Sequence, residues 1–133
     1  MEKVIEFIKA NNVGALATSV DNQPYLRPHH VHFIKDGKFY FTTANTKKAY
    51  KQMKSNPIVE FMTSSAEYVT VRLRGEVVFV NDMQTKEMII ENCPLVKMGY
   101  KTADNPIFEV FYIEHGEAIM SDFSANPAEE FKF

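Results

Sequence analysis

Short segments rich in aromatic and β-branched residues, each bounded by a turn signal, run through most of this sequence. The clearest example is the stretch 13–43, which Asp21-Asn22 and Asp36-Gly37 divide into three such segments. Asp-Gly between two apolar runs is a strong signal for a tight β-hairpin. The stretch therefore predicts a three-stranded meander, with strands over 13–20, 23–34 and 38–43.

The rest of the chain adds further strand patterns after this meander. Segment 58–63 predicts one strand and segment 68–80 a longer one, in which Gly75 is the natural place for a bulge. A last hairpin is expected across His115-Gly116, with strands over 108–113 and 117–123. Pro24 and Pro28 each lack a backbone donor, so the second strand of the meander is expected at a sheet edge. The tail 124–133 shows no periodicity.

Helical spacing of apolar residues marks three short segments. The first lies before Asn11, the second covers 47–55, and the third covers 82–92; a further helical turn is expected over 95–100. Asn45 or Thr46 is expected to cap the second helix, and Asn81 or Asp82 the third. With six or seven strands and about three short helices, the pattern indicates a mainly β, α+β fold built on an antiparallel barrel.

Composition narrows the classes of protein that fit. A length of 133 residues predicts a single domain over 1–133, and a net charge of -2 argues against a broad basic surface for nucleic acid. The one cysteine, Cys93, excludes an intrachain disulfide and favours the cytoplasm. Neither a membrane-length apolar segment nor the apolar core of a signal peptide is present, so we expect a cytoplasmic protein.

A candidate anion site lies where the predicted third strand of the meander ends and the second helix begins. The first N–H groups of a helix lack intrahelical partners and carry partial positive charge. Lys47 and Lys48 in this first turn repel that charge unless an anion is bound there. Hydroxyl groups nearby, at Thr42, Thr43 and Thr46, offer further donors. The alternative is a plain capped helix with two solvated lysines.

The segment Arg27-Pro28-His29-His30-Val31-His32 carries the other polar groups of interest. Because the predicted meander places it beside the third strand, Arg27 is expected to reach the same anion as Lys48, in a bidentate guanidinium–phosphate fork. The alternative for Arg27 is a surface salt bridge. His30 and His32 share one strand face and match a metal-binding pair, with His115 as the distant third ligand; histidines that pack or hydrogen-bond are the alternative. We expect no metal.

In order and spacing, several segments together resemble the pyridoxamine 5'-phosphate oxidase-like flavoproteins. They cover nearly the whole chain and are Arg27-Pro28-His29-His30, Asp36-Gly37-Lys38-Phe39-Tyr40-Phe41-Thr42-Thr43, Asn45-Thr46-Lys47-Lys48-Ala49-Tyr50-Lys51-Gln52-Met53, Asn56-Pro57, Arg74-Gly75-Glu76-Val77, Phe108-Glu109-Val110-Phe111-Tyr112 and Gly116-Glu117-Ala118. The resemblance implies an FMN-binding split β-barrel, and a homodimer with FMN at the subunit interface.

The resemblance also implies roles for particular residues. Arg27, Lys47 and Lys48 are expected to bind the FMN phosphate, and Phe41 and Thr42 occupy the family's strand-end contacts. The strand from 27 to 32 is expected to run beside the isoalloxazine. No catalytic residue is assigned, although His29 and His30 are the side chains expected to approach the ring. The complete expected cofactor site is Arg27, Pro28, His29, His30, Phe41, Thr42, Thr43, Thr46, Lys47 and Lys48.

Two departures from the oxidases proper bear on the reaction. Their flavin-contacting glutamine is replaced here by the stretch Tyr68-Val69-Thr70-Val71, and their basic, tryptophan-containing C-terminus is replaced by a chain end without tryptophan. Both argue against oxidation of pyridoxamine phosphate itself. We expect an FMN-dependent oxidoreductase that acts on a small molecule, with NAD(P)H as donor and flavin or nitro-compound reduction as its chemistry. The alternative is a non-catalytic flavin or haem carrier on the same barrel.

Overall fold

The computed structural model describes residues 1–133, and it consists of eight strands and four helices. The mainly β, antiparallel architecture predicted from the sequence is confirmed, although the expected counts of strands and helices were slightly low. In chain order the elements are α1 (Glu2–Ala10), β1 (Val13–Val20), β2 (Gln23–His30), β3 (Phe33–Lys35), β4 (Lys38–Ala44), α2 (Lys48–Ser55), β5 (Ile58–Ser64), β6 (Thr70–Val80), α3 (Met83–Asn92), α4 (Pro94–Tyr100), β7 (Phe108–Ser121) and β8 (Glu129–Lys132).

The strands form one antiparallel sheet in the order β2-β1-β5-β6-β7-β4-β3, and β8 pairs with β7. The sheet curls around a core that contains Phe39, Phe41, Phe61 and Phe111, and α1 packs Val4 and Ile8 into the same core. A second apolar cluster lies beneath α3 and α4. No helix is both long and apolar enough to span a bilayer.

The predicted three-stranded meander is wrong in its pairing. β2 pairs only with β1, and β3 is a separate short strand that pairs with β4. The change of partner occurs at two consecutive residues, because Val31 N–H donates to Asn12 O at 2.9 Å and His32 N–H donates to Tyr40 O at 3.0 Å. The edge position predicted for β2 from its two prolines is correct.

The predicted final hairpin is replaced by one continuous strand, β7. Around His115-Gly116 the chain does not reverse; His115 takes a left-handed φ of 48°. The pairing of β7 with β6 shifts register between Arg74 and Glu76, which places the predicted bulge at Gly75. On either side of this shift the ladder continues, so that β6 stays paired with residues 110–121 of β7.

The tail, for which the sequence shows no periodicity, contains the short strand β8. β8 pairs with the segment 117–120 of β7, beyond the part of β7 that pairs with β4. Strand addition uses backbone hydrogen bonds, which need no alternating side-chain pattern. The ring of Phe133 then packs edge-on against Phe39 at a centroid distance of 5.8 Å.

Helix α2 begins differently from the prediction, whereas α3 begins as predicted. Lys47 occupies the N-cap position of α2, and its side chain makes no capping hydrogen bond. Asn45 lies two residues before this position, and its side-chain amide donates to Pro106 O at 2.8 Å and to Glu109 Oε1 at 3.1 Å. Asp82 caps α3 by accepting from the Thr85 N–H at 2.8 Å, as its position indicated.

Candidate functional site

The barrel has a seam where β2 faces β4 without a backbone ladder between them. His29 crosses this seam, since its Nε2 lies 2.9 Å from the carbonyl oxygen of Thr42 on β4. A carbonyl oxygen only accepts hydrogen bonds, so Nε2 carries the proton and Nδ1 is left as an acceptor. The His29 ring also packs against the buried rings of Phe41 and Phe111, at 5.7 and 5.8 Å.

A shallow open cavity of about 270 Å³ lies along this seam, and we call it the seam cavity. Five of its lining residues were expected in the cofactor site from the sequence. The two others, His32 and Tyr100, were not. The full lining is Pro28, His29, His30, His32, Thr42, Lys47 and Tyr100.

The other expected site residues lie outside this lining. The Phe41 side chain is fully buried in the barrel core, where it stacks on Phe111 at 5.2 Å. Thr43 is also buried, and its Oγ1 has no hydrogen-bond partner in the chain. Thr46 and Lys48 are exposed at the start of α2.

Arg27 lies on the inner face of β2, opposite Leu16 of β1. Its Nη1 donates to Leu16 O at 3.2 Å and to Thr18 Oγ1 at 2.9 Å, and its Nη2 donates to Gln52 Oε1 of α2. The expected alternative, a surface salt bridge, is absent: Arg27 has no acidic partner. The positive charge of the Arg27 guanidinium on the inner face of β2 is therefore not compensated by a carboxylate.

Positively charged side chains surround His29 at the seam. Burial lowers the pKa of His29 from 6.5 to about 4; the Thr42 hydrogen bond opposes this shift, and the charges of Lys47 and Arg27 reinforce it. Both cations thus lie close enough to act on one imidazole. Neither Lys47 nor Lys48 pairs with a carboxylate, and the first turn of α2 has no acidic residue. Such uncompensated positive charge at a helix N-terminus is chemically suited to an anion.

Two larger hollows lie beside α3, of about 530 and 690 Å³. Each is lined by both Glu87 and Glu91, together with one lysine in the smaller hollow and two in the larger, so acidic and basic groups are mixed in both. Neither concentrates positive charge, and neither contains a residue expected in the cofactor site. Size alone therefore does not make them better sites for an anionic ligand than the seam cavity.

The histidines of the seam do not form a metal site. The His30 and His32 rings lie 5.1 Å apart, and burial lowers the pKa of His32 to about 4. No group of three or more His, Cys, Asp or Glu side chains is placed to hold a metal ion. His115 is exposed and lies 3.4 Å from Glu114.

His29 makes stability depend on pH in a definite direction. Between pH 6.5 and about 4 the unfolded chain holds a proton on this imidazole that the folded chain does not. The contribution of His29 to stability therefore falls as the pH is lowered through this window, and this contribution does not change further below it. We expect denaturant unfolding at several pH values to show a shallower fall for His29→Gln, whose amide keeps a donor; His32, whose pKa is lowered in the same direction, contributes to the fall that remains. An unchanged slope contradicts the assignment.

The arginine pairs of the outer sheet face behave as ordinary ion pairs. Glu60 on β5 accepts from Arg72 at 3.5 Å and from Arg74 at 3.3 Å, both on β6. These side chains are on the opposite face of the sheet from the core. None of the three lines the seam cavity.

Comparison with known proteins agrees with this fold. A family model described as pyridoxamine 5'-phosphate oxidase matches residues 1–117. The solved structure of a NimC/NimA family protein from Clostridium acetobutylicum is 37% identical, with a TM-score of 0.89, and the match covers 98% of this chain and 90% of that one. No functionally curated protein matches the chain.

More distant structures share the fold alone. A pyridoxamine 5'-phosphate oxidase-related, FMN-binding protein from Nostoc punctiforme is 12% identical, with a TM-score of 0.76 over 97% of this chain and 87% of that one. A haem-binding protein from Mycobacterium smegmatis is 14% identical, with a TM-score of 0.74; the match covers 93% of this chain and 54% of that one. At these identities the fold does not determine the ligand.

Proposed function

Because this chain belongs to the pyridoxamine 5'-phosphate oxidase family, we propose that it is an FMN-binding flavoprotein that acts as an oxidoreductase on a small molecule. The observation that carries the proposal is the uncompensated positive charge of Lys47 and the start of α2 at the seam cavity, with Arg27 two residues before His29 on the same face of β2. A phosphate monoester is the part of FMN that this charge fits. The FMN-binding protein from Nostoc punctiforme, which has the same fold, supports the choice of cofactor.

The residues present fit such a cofactor at both of its ends. Lys47 and the free N–H groups of α2 supply donors for the phosphate, and Lys48 adds charge from the same turn. Toward the ring end, His29 Nδ1 is an acceptor for an N–H group, and Tyr100 supplies an aromatic wall.

Flavin, when bound, supplies the transfer of a hydride equivalent from a reduced nicotinamide to a small acceptor. The side chains of the seam bind and orient it. His29 stays neutral near pH 7 because its pKa lies near 4, so it accepts a hydrogen bond without adding a second positive charge beside the ring. We assign no catalytic acid or base. We also place the protein in the cytoplasm, where NAD(P)H is supplied.

We further propose that the protein is a homodimer that completes the cavity from both subunits. About 270 Å³ is below the range of about 300–1,000 Å³ that is typical of small-molecule sites, and the cavity is open on one side. The outer face of β1, β2 and β5 exposes apolar side chains next to it: Leu26 is 70% exposed, Val13 54% and Met62 45%. A second copy of this face would cover them and supply the missing wall.

The dimer proposal predicts the effect of a charge on this face. Leu26→Asp is expected to convert the dimer to a monomer and to weaken FMN binding, since the second wall is lost. The matched control is Leu95→Asp on α4, where the leucine is 61% exposed and does not line the seam cavity. Mass determination by light scattering during size exclusion checks both variants. A wild-type monomer, or a dimer that Leu26→Asp leaves intact, contradicts this interface.

The test of the cofactor is the chromophore of the purified protein. Protein from a flavin-replete host is expected to be yellow, to release FMN on denaturation, and to oxidise NAD(P)H faster than free FMN does when an acceptor is present. Colourless protein that fails to take up added FMN contradicts the proposal.

The alternative is a carrier that binds flavin or haem without turnover. The haem-binding protein with this fold and the three histidines around the seam are the observations that favour it. It predicts bound cofactor with NAD(P)H oxidation no faster than that of free FMN. A Soret absorption band in the purified protein would identify haem.

A further inference from the structure

The Arg27 guanidinium is held from one side by a closed hydrogen-bonded ring. Nη1 donates to Thr18 Oγ1 at 2.9 Å, Nη2 donates to Gln52 Oε1, and Thr18 Oγ1 itself donates to Gln52 Oε1 at 2.7 Å. Leu16 O accepts the second Nη1 hydrogen at 3.2 Å. Each member of the ring fixes the direction of the other two, and the ring joins β1, β2 and α2.

The ring leaves a specific part of the guanidinium free. Thr18 and Gln52 occupy the edge formed by Nη1 and Nη2. The donors that remain are Nε–H and the second Nη2 hydrogen, which together form the other edge of the same planar group. Neither has a partner within the chain. Such an edge matches two oxygens of a phosphate in a bidentate fork.

The chemistry of Gln52 suits this role. The amide oxygen accepts from Arg27 and Thr18 without carrying a charge, whereas a carboxylate at this position would neutralise the cation that an anion needs. The side chain is also half-buried on the inner side of α2, one turn after Lys48. A purely structural tie between α2 and β1 would need only the bond from Thr18 to Gln52.

We propose that Gln52 is a positioning residue, which acts with Thr18 to hold Arg27 so that its free edge faces the phosphate of the bound mononucleotide. This role rests on the proposed FMN function. It extends the site from the seam to the inner face of α2, and it makes the preference for a phosphorylated flavin depend on a residue that need not touch the ligand.

The test compares FMN with riboflavin, which lacks the phosphate. Apo-protein is titrated with each flavin, with flavin fluorescence as the readout, for wild type and for Gln52→Met, which keeps the shape but removes the acceptor. We expect FMN to bind about tenfold more weakly to the variant and riboflavin to bind unchanged. Gln84→Met, an exposed glutamine on α3, is the matched control and should change neither affinity.

Two further variants separate positioning from a structural role. Thr18→Val removes the other member of the ring and is expected to give the same selective loss of FMN affinity. In an Arg27→Lys background, Gln52→Met is expected to cause no additional loss, because the fork that it positions is already gone. Circular dichroism on heating checks that each variant folds.

Four results overturn the proposal. FMN affinity within twofold of wild type removes the role of Gln52, and equal losses for FMN and riboflavin make its role structural. Failure of both single variants to fold also makes the role structural. A wild-type protein that does not prefer FMN over riboflavin overturns the FMN proposal itself, and the positioning role with it.

Discussion

Replacing Arg27 with alanine is expected to weaken FMN binding by about 100-fold. The free edge of its guanidinium offers two charge-assisted hydrogen bonds, whose joint loss is worth about 3 kcal/mol. Riboflavin affinity should change much less, because riboflavin carries no phosphate. Arg27→Lys keeps the charge but loses the fork, so an intermediate loss is expected. Equilibrium titration of the apo-protein with each flavin measures the three affinities.

The control for this prediction is Lys51→Ala, which removes an exposed cation from α2 outside the seam cavity. It should leave FMN affinity within about twofold, since exposed charges at a distance are screened. If Lys51→Ala and Arg27→Ala weaken FMN binding equally, the effect is one of net charge and the fork is not formed. Arg27→Ala with wild-type affinity rules out Arg27 as a phosphate ligand.

Replacing Phe41 with alanine is expected to lower the free energy of unfolding by about 3–5 kcal/mol, because it leaves a cavity in the barrel core. The Phe41 ring is fully buried, stacks on Phe111 at 5.2 Å, and meets Phe61 edge-on at 5.2 Å. Such a loss is a large part of the 5–15 kcal/mol that is usual for a domain. Urea unfolding followed by circular dichroism measures the change.

Phe123→Ala provides the matched control, since this ring is 84% exposed. Its removal is expected to change stability by less than about 0.5 kcal/mol. A loss below about 1 kcal/mol for Phe41→Ala would contradict the core position, given the range seen for buried phenylalanines. If Phe41→Ala shows the large loss and Phe123→Ala does not, Phe41 belongs to the core, and it affects flavin binding only through the stability of the fold.

Local signals in the sequence predicted the features that local chemistry determines. Two prolines placed β2 at an edge, Asp36-Gly37 marked the hairpin of β3 and β4, and Asp82 capped α3. Each depends on a few neighbouring residues. Pairings between distant segments were missed, because alternation of side chains shows which face is buried but not which strand lies alongside. For example, the alternation of side chains in β4 does not show that β4 pairs with β7 and not with β2.

The same limit applies to the candidate site. Lys47 and the histidines of β2 could be predicted because their residue types and spacing are visible in the sequence. The sequence predicts His32 in the strand beside the ring and as one of a possible metal-binding pair, but it assigns no site role to Tyr100 or Gln52, since folding brings these two to the site from separate elements. Gln52 carried one weak signal, its position one turn after Lys48 on the same helix.

The most direct measurement of the central claim is the affinity of the wild-type apo-protein for FMN and for riboflavin under the same conditions. If a phosphate binds between Arg27, Lys47 and the start of α2, FMN binds at one per chain and at least about tenfold more tightly than riboflavin, and added salt reduces the difference. Equal affinities for the two flavins, or no binding of either, would contradict the claim.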